Sequence, residues 1–380
     1  MTLLLLIGCG DWERSARREA NALGRDDMES ASADQVVARL AGGNTVSHLL
    51  LQPSAAGRML GPLLQMTAGE ADSGTALILL GESDALPPLP ASSTAVVTRL
   101  DDGWLRRALS HTRPPRESGP ADRVGASELN SALNHGWVRA SYQPVVSLAD
   151  RKPIGLEALA RLQHPTRGML APDLFVPRAE SSGLSWKLAA SLARRALQEW
   201  GGGRLDALDV NLGINLPLAE LLRPDLPDWL EHHCAAVGTR HQRLMLEMTE
   251  TQPVTDLPAL RAAAARLRAA GFRLSIDDAG PGARDPEDLL GLGFHAVKVD
   301  RVTTAAAAQD PRARAFLDRL VARAHAAGMG VIAEGVEDQE GWRRMQTMGF
   351  DSAQGFAIAR PLPADAVPVW HQAWQAAGAV

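Results

Sequence analysis

The chain has 380 residues, of which 46% are apolar and 22% charged, with a formal net charge of -5. This composition excludes a disordered chain, and its slight acidity excludes a broad basic field for nucleic acid or an anionic membrane surface. Two domains are expected, because even barrel domains rarely exceed about 250 residues. Cys9 and Cys234 fit no disulfide or metal pattern, which favours a reducing compartment, so we expect a cytoplasmic protein.

The chain starts with "MTLLLLIGCGDW", in which "LIGC" is similar to a bacterial lipoprotein cleavage box. No Lys or Arg precedes the apolar run, as a signal peptide requires. A buried first strand that ends in a glycine turn is therefore the preferred interpretation. No apolar run approaches the roughly 20 residues of a membrane span.

Residues 1–110 alternate short apolar runs such as "TLLLLIG" and "ALILLG" with helical patterns such as "DWERSARREANAL". This alternation predicts a small parallel sheet with helices on its faces, that is, a small α/β sandwich domain. The segment that follows, at 111–126, is rich in Pro, Gly and charged residues, which is typical of an interdomain linker.

The region 127–380 contains eight strand candidates, with helical patterns between most of them. Eight strands interleaved with helices over about 250 residues predict a (β/α)8 barrel of the TIM type. The candidates are "ASYQPVVSL", "PIGLEALARL", "LDVNLGINL", "RLMLEMTE", "RLSIDD", "AVKVD", "GVIAEGV" and "SAQGFAIA".

Polar side chains lie at the ends of these strands, where barrel enzymes place their reactive groups. Several oxygen ligands without thiolates match Mg²⁺ or Mn²⁺ better than zinc, and two adjacent aspartates could serve two ions. Any one carboxylate alone would be an ordinary surface or ion-paired group, whereas a series at five strand ends indicates a site. The residues are Glu157, Asn215, Glu247, Asp277, Asp278, Lys298, Asp300, Glu334 and Gln354.

Residues 127–368 resemble the EAL family of bacterial cyclic di-GMP phosphodiesterases. Ordered motifs carry the resemblance: "YQPVV", "LEALARLQHP", "AESSGL", "INLPLAELLRPDL", "LEMTE", "IDDAGPG", "VKVD", "AEGVE", "QGF" and "ARPLP". The resemblance implies metal-dependent hydrolysis of cyclic di-GMP to linear pGpG, with two ions of Mg²⁺ or Mn²⁺.

The resemblance also implies a role for each matching residue. One ion would be held by Glu157, Asn215, Glu247 and Asp277; Asp278 and Glu334 would hold or border the second, with Asp277 as the bridge. Glu334 would be the general base, steered by Lys298. The substrate would be bound by Gln143, Arg161, Asp300, Glu337 and Gln354. Asn211 is an alternative to Asn215, which we prefer for its spacing to "LLRPDL".

The chain departs from the family in the loop after the aspartate pair. The family pattern is Asp-Asp-Phe-Gly-Thr-Gly-Tyr-Ser-Ser, whereas this chain has "DDAGPGARD", with Ala279 for the aromatic residue and Pro281 for the threonine. The loop anchor of the family is present as Glu250. In the family this loop contributes to dimerisation, so a homodimer is expected. Two functions stay open: a phosphodiesterase that is weak or partner-regulated, or a cyclic di-GMP receptor or scaffold with impaired catalysis.

The amino-terminal domain resembles a response-regulator receiver in pattern only. A receiver needs an acidic pair after its first strand and an aspartate after its third, whereas this chain has "IGCGD" and "LLLQP", with Gln52 at the phosphoacceptor place. Capping of the following helix explains Asp11 better than metal binding does. We expect a degenerate receiver that binds a protein partner or mediates dimerisation; an unrelated α/β interaction module is the alternative.

Overall fold

The computed structural model describes the chain in eleven stretches. They are residues 3–8, 10–25, 27–42, 46–67, 75–81, 94–97, 99–111, 123–201, 205–249, 256–281 and 287–378. Two compact units emerge: residues 1–139 with 160–184 and 362–373, and residues 140–159 with 185–361 and 374–380. Residues 112–122, most of the predicted linker, lie outside the described stretches, and the predicted domain boundaries stay a prediction.

The amino-terminal sheet has five described strands in the order β2-β1-β3-β4-β5, and every pair is parallel. This is the flavodoxin-type order of doubly wound folds, and the prediction of a small α/β domain is confirmed. The strands are β1 (Leu3–Ile7), β2 (Met28–Ser30), β3 (Val46–Leu51), β4 (Ala76–Leu80) and β5 (Thr94–Val97). The helices are α1 (Gly10–Ala22), α2 (Ala33–Ala41), α3 (Pro53–Ala56), α4 (Leu60–Thr67) and α5 (Trp104–His111).

The sequence of β4 explains its interior place in this sheet, between β3 and β5. All five of its residues are apolar and buried, as expected for a parallel strand with both faces covered. Leu6, Leu50 and Ile78 form a core with Trp104 of α5, whose indole Nε1 donates to Ser15 Oγ at 3.0 Å. The buried indole N–H is therefore hydrogen-bonded, as a buried polar group must be.

The second sheet closes into a barrel of eight strands in the order β6-β14-β13-β12-β11-β10-β9-β7, with β7 pairing back to β6. The predicted barrel is confirmed. Its strands are β6 (Val138–Ser147), β7 (Pro153–His164), β9 (Asn211–Pro217), β10 (Leu244–Thr249), β11 (Arg273–Ala279), β12 (Ala296–Val299), β13 (Gly330–Ala333) and β14 (Ser352–Ala353). Two short strands, β8 (Gly168–Leu170) and β15 (Leu362–Pro363), extend the sheet at β7 and β6.

The first barrel strand runs against the other seven. β6 is antiparallel to β14, and it joins β7 through a tight turn in which Ser147 N–H donates to Lys152 O at 2.9 Å. The remaining neighbours, from β7 round to β14, are parallel. A turn this short cannot make a parallel crossover, so the first two strands form a hairpin with no helix between them.

Helices surround the barrel, and aspartate side chains cap four of them. Asp256, Asp300, Asp310 and Asp338 each accept a backbone N–H in the first turn of the following helix. None of the described helices is both long and apolar enough to cross a bilayer. The helices are α6 (Ala126–Asn134), α7 (Val176–Ser181), α8 (Ser185–Gly201), α9 (Leu218–Leu221), α10 (Leu226–Ala236), α11 (Leu257–Ala269), α12 (Glu287–Leu290), α13 (Arg301–Ala306), α14 (Pro311–Ala326), α15 (Gln339–Thr347) and α16 (Val367–Gly378).

Candidate metal centre

A buried lysine stands at the centre of the acidic site. Lys298 Nζ lies 2.7 Å from Glu247 Oε2 and 2.7 Å from Glu334 Oε1. It lies 3.0 Å from Asp277 Oδ1 and 3.1 Å from Glu157 Oε2, and its side chain is 1% exposed. Four strands thus direct a carboxylate to one ammonium group, which compensates part of the cost of burying them.

Strand register and one glycine explain why the carboxylates converge. Gly213 is the partner of Glu157 in β7, and Asn215, two residues further along β9, is the partner of Glu247 in β10. A Cβ atom on Gly213 would lie 2.1 Å from Glu247 Oε1, so any side chain there would displace this carboxylate. Gly213 was not among the predicted site residues, although its spacing of two from Asn215 places it on the same face of the strand.

A β-bulge places the two adjacent aspartates at the same site. Ile276 pairs with Val297 and Ala279 with Val299, so Asp277 and Asp278 together oppose Lys298 alone. Asp278 has a φ of 55°, in the left-handed region. A regular strand would point neighbouring side chains to opposite faces, whereas the extra residue of a bulge re-aims one of them.

The amides around Glu157 form a short hydrogen-bonded chain. Asn215 Nδ2 donates to Glu157 Oε1 at 2.6 Å, and Gln354 Nε2 donates to Glu157 Oε2 at 2.7 Å and to Gln143 Oε1 at 3.0 Å. Asn215 Oδ1 is buried without a hydrogen-bond partner among the described residues. Asn211 Nδ2 instead donates to the Ile154 carbonyl, which favours Asn215 as the site residue.

One ammonium group does not compensate all of the carboxylates. Desolvation by burial is the largest cause that raises the pKa of Glu247 and of Asp277. It also raises the pKa of Glu334 to about 8, against the opposing attraction of Lys298. Partial desolvation, together with the Asp277 charge, raises the pKa of Asp278 to about 6, although this residue, unlike Asp277, is exposed. The site is therefore short of positive charge.

Glu157 and Lys298 show the opposite balance. Burial acts to raise the pKa of Glu157, but Lys298 and the amides of Gln354 and Asn215 outweigh it and the pKa is lowered. Burial likewise acts to lower the pKa of Lys298, but the surrounding carboxylates raise it well above its usual value. Glu157 and Lys298 are accordingly the ionised pair around which the other groups are arranged.

The donor set fits hard divalent cations. Oxygens of Glu157, Glu247 and Asp277 lie within 4.8 Å of one another, and so do oxygens of Asp277, Asp278 and Glu334. Asp277 belongs to both groups, as a bridging ligand would. Carboxylate oxygens and the unpaired amide oxygen of Asn215 are ligands that Mg²⁺ and Mn²⁺ prefer.

Three predicted substrate residues have other partners. Asp300 caps α13, accepting from Thr303 N at 2.9 Å and Thr303 Oγ1 at 2.6 Å. Glu337 forms an exposed ion pair with Arg301, and Arg161 is buried, with Nη1 donating to the Ala160 carbonyl at 3.0 Å. Their roles toward substrate stay predictions.

Part of the altered loop is described and part is not. Ala279 is buried at the end of β11, and Pro281 follows it at the surface. The predicted loop anchor Glu250 and residues 282–286 lie outside the described residues.

Comparison with known proteins places the site in a family context. A family model described as "EAL domain" matches residues 126–361. An "Uncharacterized signaling protein" of Caulobacter vibrioides is 28% identical over 348 residues, 89% of this chain and 42% of that protein. "Cyclic di-GMP phosphodiesterase NbdA" of Pseudomonas aeruginosa is 31% identical over 249 residues, 65% of this chain and 32% of NbdA. The chain spans less than half the length of these two relatives.

Two solved structures share the barrel. The PaMucR phosphodiesterase in complex with c-di-GMP superimposes with a TM-score of 0.59 and 30% identity, covering 63% of this chain and 98% of that one. The EAL enzyme Bd1971, in a form with cAMP and cyclic-di-GMP bound, gives a TM-score of 0.59 and 26% identity, covering 63% and 66% of the two chains.

Proposed function

The chain belongs to the EAL domain family, and we propose that it is a metal-dependent phosphodiesterase that opens cyclic di-GMP to linear pGpG in bacterial second-messenger signalling. The observation that carries the proposal is the convergence of Glu157, Glu247, Asp277 and Glu334 on one buried lysine. The relatives support the choice of substrate, because NbdA is named for cyclic di-GMP and PaMucR was solved with it.

The residues divide into two sets of ligands in the proposed reaction. Glu157, Asn215, Glu247 and Asp277 would hold one divalent ion, and Asp277 and Asp278 a second, which Glu334 would border. Bound Mg²⁺ or Mn²⁺ supplies Lewis-acid stabilisation of the phosphate charge and increases the acidity of water. Both the unpaired oxygen of Asn215 and the raised pKa of Glu247 fit this assignment.

Glu334 is the group we assign as general base. Its backbone N–H donates to Val299 O at 3.0 Å, which fixes it beside the end of β12, and Lys298 Nζ holds its carboxylate at 2.7 Å. In this position Glu334 accepts a proton from the attacking water, and Lys298 stabilises the charge that develops beside it. Gln143 and Gln354 would orient the nucleotide.

A second function is favoured by the altered loop. Ala279 and Pro281 lack the aromatic ring and the hydroxyl group that the family pattern has there, so the second ion and the dimer contact would be less firmly supported. In that case the domain is a cyclic di-GMP receptor or scaffold with impaired catalysis. The amino-terminal domain would then serve, as a degenerate receiver, for partner binding in the cytoplasm.

A turnover assay separates these two functions. The full chain is incubated with cyclic di-GMP and Mn²⁺, and linear pGpG is measured by chromatography, with EDTA as the control. The phosphodiesterase proposal expects product only with Mn²⁺. No product at high protein concentration, together with binding in calorimetry with Ca²⁺, would support the receptor instead. If neither product nor binding is observed, both functions are contradicted.

A further inference from the structure

An arginine outside the predicted site lies beside the general base. β12 ends at Val299, Asp300 caps the next helix, and Arg301 is the first residue of α13. Thr304 Oγ1 contacts both the Glu334 carbonyl, at 2.7 Å, and the Arg301 carbonyl, at 3.0 Å. The backbone at Arg301 is therefore tied to the backbone at Glu334 at the carboxyl ends of β12 and β13.

The side-chain stem of Arg301 rests on a glycine that follows Glu334. Gly335 has a φ of 64°, and a Cβ atom there would lie 2.0 Å from Arg301 Cγ and 2.5 Å from Arg301 Cβ. The absence of a side chain at Gly335 thus creates the place in which the stem packs. This packing fixes the direction of Arg301 while leaving its end in solvent.

The guanidinium group has a partner that it can exchange. Arg301 Nη1 lies 3.2 Å from Glu337 Oε1, and the two side chains are 67% and 55% exposed. Exposed pairs of this kind contribute little to stability, so a phosphate can replace Glu337 at small cost. Lys298, by contrast, is buried among four carboxylates.

We propose that Arg301 binds the phosphodiester of cyclic di-GMP that is not cleaved. This inference rests on the proposed function and adds a substrate-binding residue to it. The substrate carries two phosphodiesters, and the carboxylates and their ions engage only the one that reacts. A forked guanidinium whose stem packs on Gly335, next to Glu334, suits the second, because it offers paired donors to non-bridging oxygens.

Three variants of the full chain test the proposal: Arg301→Gln, Arg301→Lys and, as a control on the exposed face of α14, Arg319→Gln. Binding of cyclic di-GMP is measured by calorimetry with Ca²⁺. We expect the Kd to rise about tenfold in Arg301→Gln, the usual size for loss of a charge-assisted contact, and less in Arg301→Lys. Arg319→Gln should stay within about twofold of the parent chain, as surface changes do.

A substrate with a single phosphodiester provides the second measurement. Turnover of bis(p-nitrophenyl) phosphate with Mn²⁺ should be unchanged in Arg301→Gln, whereas KM for cyclic di-GMP rises and kcat changes little. An unchanged Kd in Arg301→Gln, or an equal loss with both substrates, overturns the proposal. If the parent chain neither binds nor cleaves cyclic di-GMP, the proposed function fails and this inference falls with it.

Discussion

The two sheets follow the same structural rule and differ in what they place at the carboxyl ends of their strands. In the barrel these ends carry Glu157, Asn215, Glu247, Asp277 and Glu334 around Lys298. In the amino-terminal sheet, Gly8, Gln52 and Gly81 follow β1, β3 and β4. Both places are where open and closed α/β sheets bind ligands. The difference teaches that the fold provides the place and the side chains provide the chemistry.

Removing one barrel carboxylate should have the largest effect on turnover of cyclic di-GMP. Glu157→Gln keeps the shape of the side chain but removes the charge that pairs with Lys298 at 3.1 Å. We expect turnover of cyclic di-GMP to fall at least about a thousandfold, because several kcal/mol of metal-dependent stabilisation are lost. Product is measured by chromatography and folding by thermal denaturation. Near-normal turnover in a folded variant would contradict the assignment of Glu157 as a ligand.

Stability of the metal-free protein should depend on pH through the barrel site. The pKa of Glu334 is raised from 4.5 to about 8, so the folded state holds a proton that the unfolded chain releases. The contribution of Glu334 to the free energy of unfolding is therefore fully present below about pH 4.5 and is lost as the pH rises toward about 8.

Thermal denaturation in EDTA checks this dependence. From pH 6 to pH 8.5 we expect the Tm to fall by about 5 °C, and Mn²⁺ to remove most of the fall by neutralising the carboxylates. The same decrease in Glu334→Gln would show that Glu334 is not its cause.

Restoring the loop should have a smaller effect in the opposite direction. Ala279→Phe and Pro281→Thr, combined with Tyr-Ser-Ser at residues 283–285, reintroduce the side chains of the family pattern. We expect turnover to rise about tenfold, the usual size of indirect support for metal ligands. Since Ala279 is buried, Pro281→Thr with the Tyr-Ser-Ser change alone is the control for overpacking. No change in either variant would show that the loop does not limit activity.

Changes at the amino-terminal sheet should have the smallest effect on turnover of cyclic di-GMP. Gln52→Ala and incubation with acetyl phosphate should each change turnover by less than about twofold, because Gln52 cannot accept a phosphoryl group and lies outside the barrel site. Rates are measured in the same chromatographic assay. A larger response to acetyl phosphate would show that this sheet edge carries chemistry after all.

The barrel and its strand ends could be predicted because apolar periodicity and ordered motifs survive in the sequence. The hairpin of β6 and β7 was harder to predict from the sequence, because the length of the turn at Ser147–Lys152 sets the direction of the two strands. Lys298 and Asp300 were both predicted at the end of one strand, but β12 ends at Val299 and Asp300 caps α13. The period of two applies only within a strand.

Other parts of the site depend on contacts between distant residues. Gly213 matters because Glu247, on the next strand, occupies the space where its side chain would be. Arg301 is placed by Gly335, 34 positions later in the chain. Such pairs have no local pattern, so a single sequence names neither of them as part of the site.

In the bulge at Asp277 and Asp278, position 278 must meet two separate requirements, one on its charge and one on its backbone conformation. The site requires the charge of the carboxylate at position 278. The φ of 55° is a separate requirement of the backbone, which Asn and Gly can also meet and which disfavours β-branched residues. Deletion of Asp278 would have a different effect from its substitution. Losing Asp278 would remove the extra residue and return β11 to regular pleating, with Asp277 alone opposite Lys298. The tolerance of this strand to change in length should thus be far narrower than its tolerance to change in chemistry.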